Sequence, residues 1–584
     1  MPAIVVAAVV LALFFLGYRY YSAYLARNVY ALDPAYVTPA HALEDGTDYV
    51  PTNKHVLFGH HFTSVAGAAP IVGPAIAVFW GWGPALAWIV LGTIFAAGVH
   101  DFGSIAVSVR HRARSIGTVA TDIIGSRART LFLIIIFFLL TLVNAVFAVV
   151  IGNLFVANPG AVIPIFVEIP LAIGIGQYIY RTRTSALVPS IIGVIVLYLL
   201  ILVGREFPIE LDGLAENLGM DRTRDLWVII MFAYTFVASR IPVWVLLQPR
   251  DYINSHQLFI ALGVILAGII VGWNTIVAPV VNDVPAGSPS IFPFLFITIA
   301  CGAISGFHSL VSSGTTSKQL DKEPDARYVG YMGAVGEGSL ALGSVLAVTA
   351  GVAATRSEWD GLYADFATAS GGATGNFVNG VAEFANNIGV PLDLAAIFAA
   401  VVVISFAATT MDTGVRLQRY VVQEIGEIAH IRPLHRNLTL ATAVAVVIPL
   451  GMALLPGGGE AGYTFGVLWQ LFGTTNQLTA GLALAVIAVW VVQRRLNPVP
   501  VLVPLVFLLG MTTWALIENL RNFVERDEWV LAPLDLIILV CALWLIVEAA
   551  MALRTAVRDR SRTDTVDAGA GPGDGGRSEE AGRR

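Results

Sequence analysis

The chain has 584 residues, of which 57% are hydrophobic and only 13% charged, with a mean hydropathy of +0.76. A typical soluble domain carries roughly 25% charge, so a water-soluble globule is excluded, and a net charge of -6 with a pI near 5.9 argues against nucleic acid as the main partner. The two cysteines, Cys301 and Cys541, lie inside apolar runs, which leaves neither a disulfide framework nor a CxxC metal or redox site.

Windows of about 19 residues read on hydropathy place membrane segments at 2–24, 54–79, 83–109, 130–152, 161–180, 186–204, 226–248, 257–279, 291–313, 328–351, 391–413, 437–456, 464–491, 499–518 and 530–552. The fold class that follows is an all-α polytopic membrane protein of about 15 transmembrane helices, within a range of about 14 to 18. The transmembrane domain is expected over 1–558. No basic residue precedes Ile4, and Arg19 and Arg27 follow the first apolar run, so this segment reads as a retained helix with its N-terminus outside.

Connections after odd-numbered segments carry the basic residues: Arg110, Arg112 and Arg114, then Arg181 and Arg183, Arg250, Lys318 and Lys322, Arg416 to Arg436, Arg494 and Arg495, and Arg554 to Arg562. Those after even-numbered segments are uncharged or acidic, as with Glu206, Glu210 and Asp212, or Glu358 and Asp360. By the positive-inside rule the first set is cytoplasmic, with the C-terminus. The longest connection, about 355–390, is rich in Gly, Ala and Asn and too short for a folded catalytic domain. The end of the chain, 559–584, has almost no apolar residues and is expected to be a disordered cytoplasmic tail.

Charge at membrane depth costs about 2.5 to 3.5 kcal/mol on insertion scales, so each buried ionisable residue asks for a function or a partner. The segment GHHFTSVAGAAPIVGP, 59–74, places Gly67, Pro70, Gly73 and Pro74 near mid-span, where a regular helix does not survive. Freed carbonyls and a half-helix N-terminus there are suited to ions and carboxylates, and His60, His61 and Ser64 lie just before the break. The bland alternative is a kink that only fits neighbouring helices. His55, His60 and His61 do not share one helix face, which disfavours metal. A second interrupted segment, 301–320, sets His308, Ser312, Ser313, Thr315 and Thr316 beside Gly302, Gly306 and Gly314. Hydroxyls and unwound carbonyls are hard oxygen ligands, although Ser and Gly also serve helix packing. Gly59-x-His61-x5-Gly67 and Gly306-x-His308-x5-Gly314 share a spacing, but the two stand at different depths of their spans.

On the third segment Asp101, Ser104 and Ser108 fall at i, i+3 and i+7, a polar stripe that would line a solvated path with Asp101 carrying a proton, or else hold Asp101 as a buried carboxylate paired with Arg240. Glu337 lies among Gly330, Gly333, Gly336 and Gly338, which let another helix approach, and is a second candidate proton site. Asp412 and Arg416 read as a structural i, i+4 pair with Arg419 on the same face, and Asp412 also counts as a coupling candidate. Glu168, with no partner evident in sequence, should face protein or a cavity.

GHHFTSVAGAAPIVGP (59–74), HDFGS (100–104), PVWVLLQPRDYINS (242–255), GAISGFHSLVSSGTTSKQL (302–320) and TTMDTGVRLQRY (409–420) resemble the carbon starvation protein CstA family of prokaryotic membrane transporters. The resemblance implies uptake of pyruvate or small peptides across the plasma membrane, coupled to an ion gradient and raised in starvation. It also implies kinship with the amino acid-polyamine-cation superfamily, with LeuT-like inverted repeats, broken helices and extra helices. His100 stands where the family leads one to expect Gln, and Arg240 precedes PVW in place of an apolar residue; the added cation would favour an anionic substrate or neutralise a buried acid.

The expected function is therefore a secondary active transporter of a monocarboxylate or short peptide, with a proton or sodium ion as coupling ion and no cofactor or metal. The substrate would be bound by His60, His61, Ser64, Gly67, Gly73, His308, Ser312, Ser313, Thr315 and Thr316, with His61, Asp101 or Glu337 taking the coupling proton and Glu168 and Asp412 as further coupling candidates. A membrane-embedded enzyme using the histidines is the rival, but the chain has no HExxH, GxSxG or GxxxxGK[ST]. A passive channel stays open, and a nutrient sensor would need a signalling domain that the loops do not supply. Oligomeric state is not legible.

Overall fold

Backbone inside hydrocarbon must satisfy its own hydrogen bonds, and apolar runs about 20 residues long do so as helices. The computed structural model describes residues 1–569 apart from 47, 183 and 456–460. Its spans and half-spans are α1 (Ala3–Val29), α2 (Lys54–Val65), α3 (Ala69–Trp80), α4 (Trp82–Arg110), α5 (Ser126–Ala157), α6 (Pro159–Thr182), α7 (Leu187–Glu206), α8 (Thr223–Ala238) and α9 (Leu247–Gly272). There follow α10 (Ile291–Thr298), α11 (Gly306–Val311), α12 (Arg327–Gly351), α13 (Phe366–Asn387), α14 (Leu392–Ile428), α15 (Leu438–Ala453), α16 (Ala461–Gln493), α17 (Val499–Glu525) and α18 (Leu531–Gly569).

Among the described residues 11 helices are long and apolar enough to cross a membrane, or up to 12 if α2 and α3 form one bent span. The protein is thus a multi-span helical membrane protein. Fifteen crossings would further require α8, the interrupted pair α10 and α11, and α15, which fall short of that length or continuity. α18 runs on to Gly569, into the stretch expected to be a tail; residues 570–584 lie outside the described residues.

Both expected breaks are present. α2 and α3 meet at 50° across residues 66–68, which hold Gly67, and Pro70 follows in the first turn of α3. The second break, 299–305, separates α10 from α11, and Gly302 within it adopts φ +98, a conformation that favours glycine. α11 continues through a π-helical turn, Ser312–Thr316, to Gln319. The two breaks touch: a Cβ added at Gly73 would come within 2.4 Å of the Thr298 carbonyl, and one at Gly302 within 3.5 Å of Pro70. Gly59 lies ahead of its break whereas Gly306 opens the half-helix after its own, so their shared spacing marks no structural repeat.

The 355–390 connection is the main departure from expectation. It forms a short helix, Arg356–Leu362, and then α13, whose N-terminal cap is Asp365 accepting from Thr368 N at 2.7 Å. α13 buries Ala369, Ala373, Phe377, Val381 and Phe384 on one stripe against α3, α9, α14 and α16. Its other positions include many Gly, Thr and Asn residues, which lower its hydropathy without breaking the helical period.

Candidate functional site

A cavity of about 670 Å³ lies between α2, the turn after α11, α5, α9 and α14. Its rim carries Asp48, Lys318, Gln319 and Glu424, at the end of the bundle where the basic connections gather. Of the expected substrate-binding residues, His60, Ser64 and Thr315 line it, joined by Gly314. The Ser64 hydroxyl donates to His60 O at 2.8 Å and Thr315 to Val311 O at 3.0 Å, so each is held by its own helix. Asp251, Trp244 and Arg416 complete the polar wall, and His60 Nδ1 lies 3.3 Å from Asp251 Oδ2.

The other expected binding residues turn away from this cavity. His61 is fully buried, with Nδ1 2.9 Å from Thr316 Oγ1 and no partner for Nε2. Ser313 Oγ accepts from Ile116 N at 2.9 Å and donates to Ser309 O at 2.6 Å, and the buried Ser312 hydroxyl has no partner. Gly67 is wedged so closely that an added Cβ would meet Thr410 Oγ1 at 2.7 Å, and Gly73 abuts Thr298. The carbonyls expected to be free at the second break are in part already taken by side chains. Trp469 Nε1 donates to Thr298 O at 3.1 Å, Gln477 Nε2 to Phe296 O at 2.5 Å and Thr93 Oγ1 to Gly302 O at 3.2 Å, and Asn476 Oδ1 accepts from Phe307 N at 3.0 Å.

On the far face of α11, His308 stands between two carboxylates: Nδ1 is 2.8 Å from Asp101 Oδ2 and Nε2 is 3.2 Å from Glu337 Oε1. His100 Nδ1 contacts the other oxygen of Asp101 at 2.7 Å. The glycines of α12 allow this: Cβ atoms at Gly330, Gly333 and Gly336 would strike Phe102, His61 and Phe62. The arrangement corrects the expected Asp101–Arg240 pair, because Arg240 is exposed, with its guanidinium 5.5 Å from the Phe236 ring centroid. Nor does the Asp101, Ser104, Ser108 stripe line a solvated path here, since all three are fully buried.

A second buried cluster was only half visible in sequence. Arg250 Nη1 is 2.9 Å from Asp412 Oδ2 and from the Tyr234 hydroxyl, which itself donates to Asp412 at 2.8 Å, while Arg250 Nε lies 3.5 Å from Glu168 Oε1. Asp412 is therefore not paired with Arg416. Arg416 Nη2 instead donates to the carbonyls of Ala238 and Ile241, and Arg419 to Ser239, closing the end of α8. Glu168 gains the partner that sequence did not reveal, and Ser405 lies 3.4 Å away. Arg250 and Asp251 were placed in a cytoplasmic connection because the apolar run 226–248 reads as one span. Pro242 and Pro249 were the available signal: the helix stops at Ala238 and resumes at Leu247, which carries both residues inside.

Among the described residues no group of three or more His, Cys, Asp or Glu could hold a metal ion. The chain matches the family described as Carbon starvation protein CstA over residues 2–355 and 361–515. It belongs to the CstA family. It is 34% identical over 591 residues to the peptide transporter CstA of Campylobacter jejuni, covering 90% of this chain and 81% of that one. The peptide transporter CstA of Escherichia coli K12 is 33% identical over 573 residues, covering 88% and 80%. The pyruvate/proton symporter BtsT of the same organism is 31% identical over 595 residues, covering 88% and 81%. As a CstA family member with these relatives, the protein is a membrane transporter and not an enzyme.

Proposed function

We propose that this CstA family member couples uptake of pyruvate or a short peptide to the inward flow of protons across the bacterial plasma membrane. The observation that carries the reading is the cavity between the first broken span and α14, largely apolar with a few polar side chains on its wall, separated by one half-helix from a histidine bridging two buried carboxylates. The relatives named as a peptide transporter and a pyruvate/proton symporter support the substrate class and the coupling ion. Two broken spans crossing at their breaks support a LeuT-like inverted-repeat core.

By the positive-inside rule the basic end is cytoplasmic, with the N-terminus outside and the C-terminus inside, so the cavity opens inward. His60, Ser64 and Thr315 are the substrate contacts, and Arg416 and Lys318 are the cations on the cavity lining that a carboxylate could meet. The coupling proton rides on His308 and its partners Asp101 and Glu337. Imidazole can take and release a proton near neutral pH, and a carboxylate at each ring nitrogen gives the proton two places to go.

The test is uptake of labelled pyruvate and of Ala-Ala into proteoliposomes. An inward proton gradient should drive accumulation of one of them, and an inward sodium gradient alone should not. Equilibration without accumulation would identify a channel, and absence of uptake for both substrates would overturn the reading.

A further inference from the structure

The cluster around Arg250 holds one cation against two carboxylates, Glu168 and Asp412, on α9, α6 and α14. All three side chains are at most 1% exposed. From the geometry we propose that Glu168 is a second proton-carrying site and that each transport cycle moves two protons with one substrate. The inference rests on the proton-coupled reading above and adds the stoichiometry and the residue.

An unpaired charge in a low-dielectric interior is costly enough that the group takes up a proton instead. Arg250 stays charged at any physiological pH and neutralises one carboxylate only. Its contacts are unequal. Asp412 receives Arg250 Nη1 at 2.9 Å and the Tyr234 hydroxyl at 2.8 Å. Each carboxylate has one oxygen without a hydrogen-bond partner, Asp412 Oδ1 and Glu168 Oε1, but apart from Arg250 Nε at 3.5 Å, outside hydrogen-bond geometry, Glu168 receives only the long contact of the Ser405 hydroxyl at 3.4 Å. The proton therefore belongs to Glu168.

Among the described residues no other cation facing the cluster closes the count. α9 contributes Asp251, whose charge adds to the deficit and whose partner, His60, sits across the cavity wall. α8 contributes Tyr234, and α14 contributes Asp412 and Ser405. Leu247 and Asp251 flank Arg250 one turn apart and both line the cavity, so the cluster lies directly behind that wall and His60 with Asp251 forms its door to water. The step is simple proton transfer: an O–H bond forms on Glu168 when a proton arrives from one side and breaks when it passes to water on the other. In the His308 cluster an imidazole likewise lies between two carboxylates, with His100 on the other oxygen of Asp101, and this cluster accounts for the first proton.

The consequence is electrical. Pyruvate with one proton crosses as a neutral pair, whereas pyruvate with two protons carries one positive charge inward. Reversal potentials in proteoliposomes clamped with potassium and valinomycin should give two protons per pyruvate, and an inside-negative potential should drive uptake. Glu168→Gln should lower the ratio to one and remove that response. If Ala-Ala is the substrate carried, the same ratio is expected with two charges moved. Independently of transport, infrared difference spectra of the wild type should contain the carbonyl stretch of a protonated acid that Glu168→Gln abolishes. A ratio of one in the wild type, a ratio of two retained in Glu168→Gln, or no such band lost in that variant would overturn the inference. Absence of gradient-driven uptake of both substrates would instead strike the proposed function itself.

Discussion

The two buried charge clusters share a plan and differ in their centre. In one, His308 lies between Asp101 and Glu337; in the other, Arg250 lies between Asp412 and Glu168. An imidazole can drop its charge, so the first cluster can be emptied and refilled around its middle. A guanidinium cannot, so in the second any change of charge must fall on a carboxylate at its edge. Similar geometry thus gives one cluster a switchable hub and the other a fixed post to which α6, α8, α9 and α14 are tied.

The comparison is sharpest when the hubs are removed. Arg250→Met would leave two buried carboxylates without a cation, and breaking a buried pair in this way costs about 3 to 5 kcal/mol. The expected result is loss of the monodisperse peak in fluorescence-detected size-exclusion chromatography, or a much lower unfolding temperature where protein survives. His308→Gln should be milder in stability, because the amide still bonds to Asp101, but it should lower the proton-to-substrate ratio from two to one and flatten the dependence of uptake on external pH. If His308→Gln keeps that dependence and Arg250→Met folds normally, the division into switch and post is wrong. The smallest effect is the control: Arg240→Ala removes an exposed cation with no carboxylate partner and should change unfolding free energy by no more than about 0.5 kcal/mol, with uptake unaltered.

Much of this fold was legible because hydropathy is read over lengths that match a bilayer. Apolar runs such as 130–152 and 499–518 each lie within one helix, α5 and α17. Both breaks were visible in Gly67 with Pro70 and in the glycines around Cys301, since the residues that cannot hold a helix are few. What escaped were features that composition averages away. α13 is buried yet rich in Gly, Thr and Asn, so it passes for a loop. Arg250 looked cytoplasmic because nothing in the apolar run 226–248 shows that its chain leaves the helix at Ala238. Of the acids, Asp101 and Glu337 stand out at membrane depth in sequence, but their common partner His308 reads there as a substrate residue, because sequence gives depth in the membrane and not the face across which helices meet.

The side chains of α16 that occupy the second break bear on how such a protein can move. Trp469, Asn476 and Gln477 hold Thr298, Phe307 and Phe296 at points on both sides of the interruption. Pulling that interruption open would strip three backbone groups of their partners at once, at roughly 1 to 3 kcal/mol for each of the two that are buried, Thr298 and Phe307. A joint clamped in this way behaves as a weld: the interrupted span and α16 travel as one body, and the bending that exposes the cavity to alternate sides of the membrane belongs to the neighbouring contacts, not to the break.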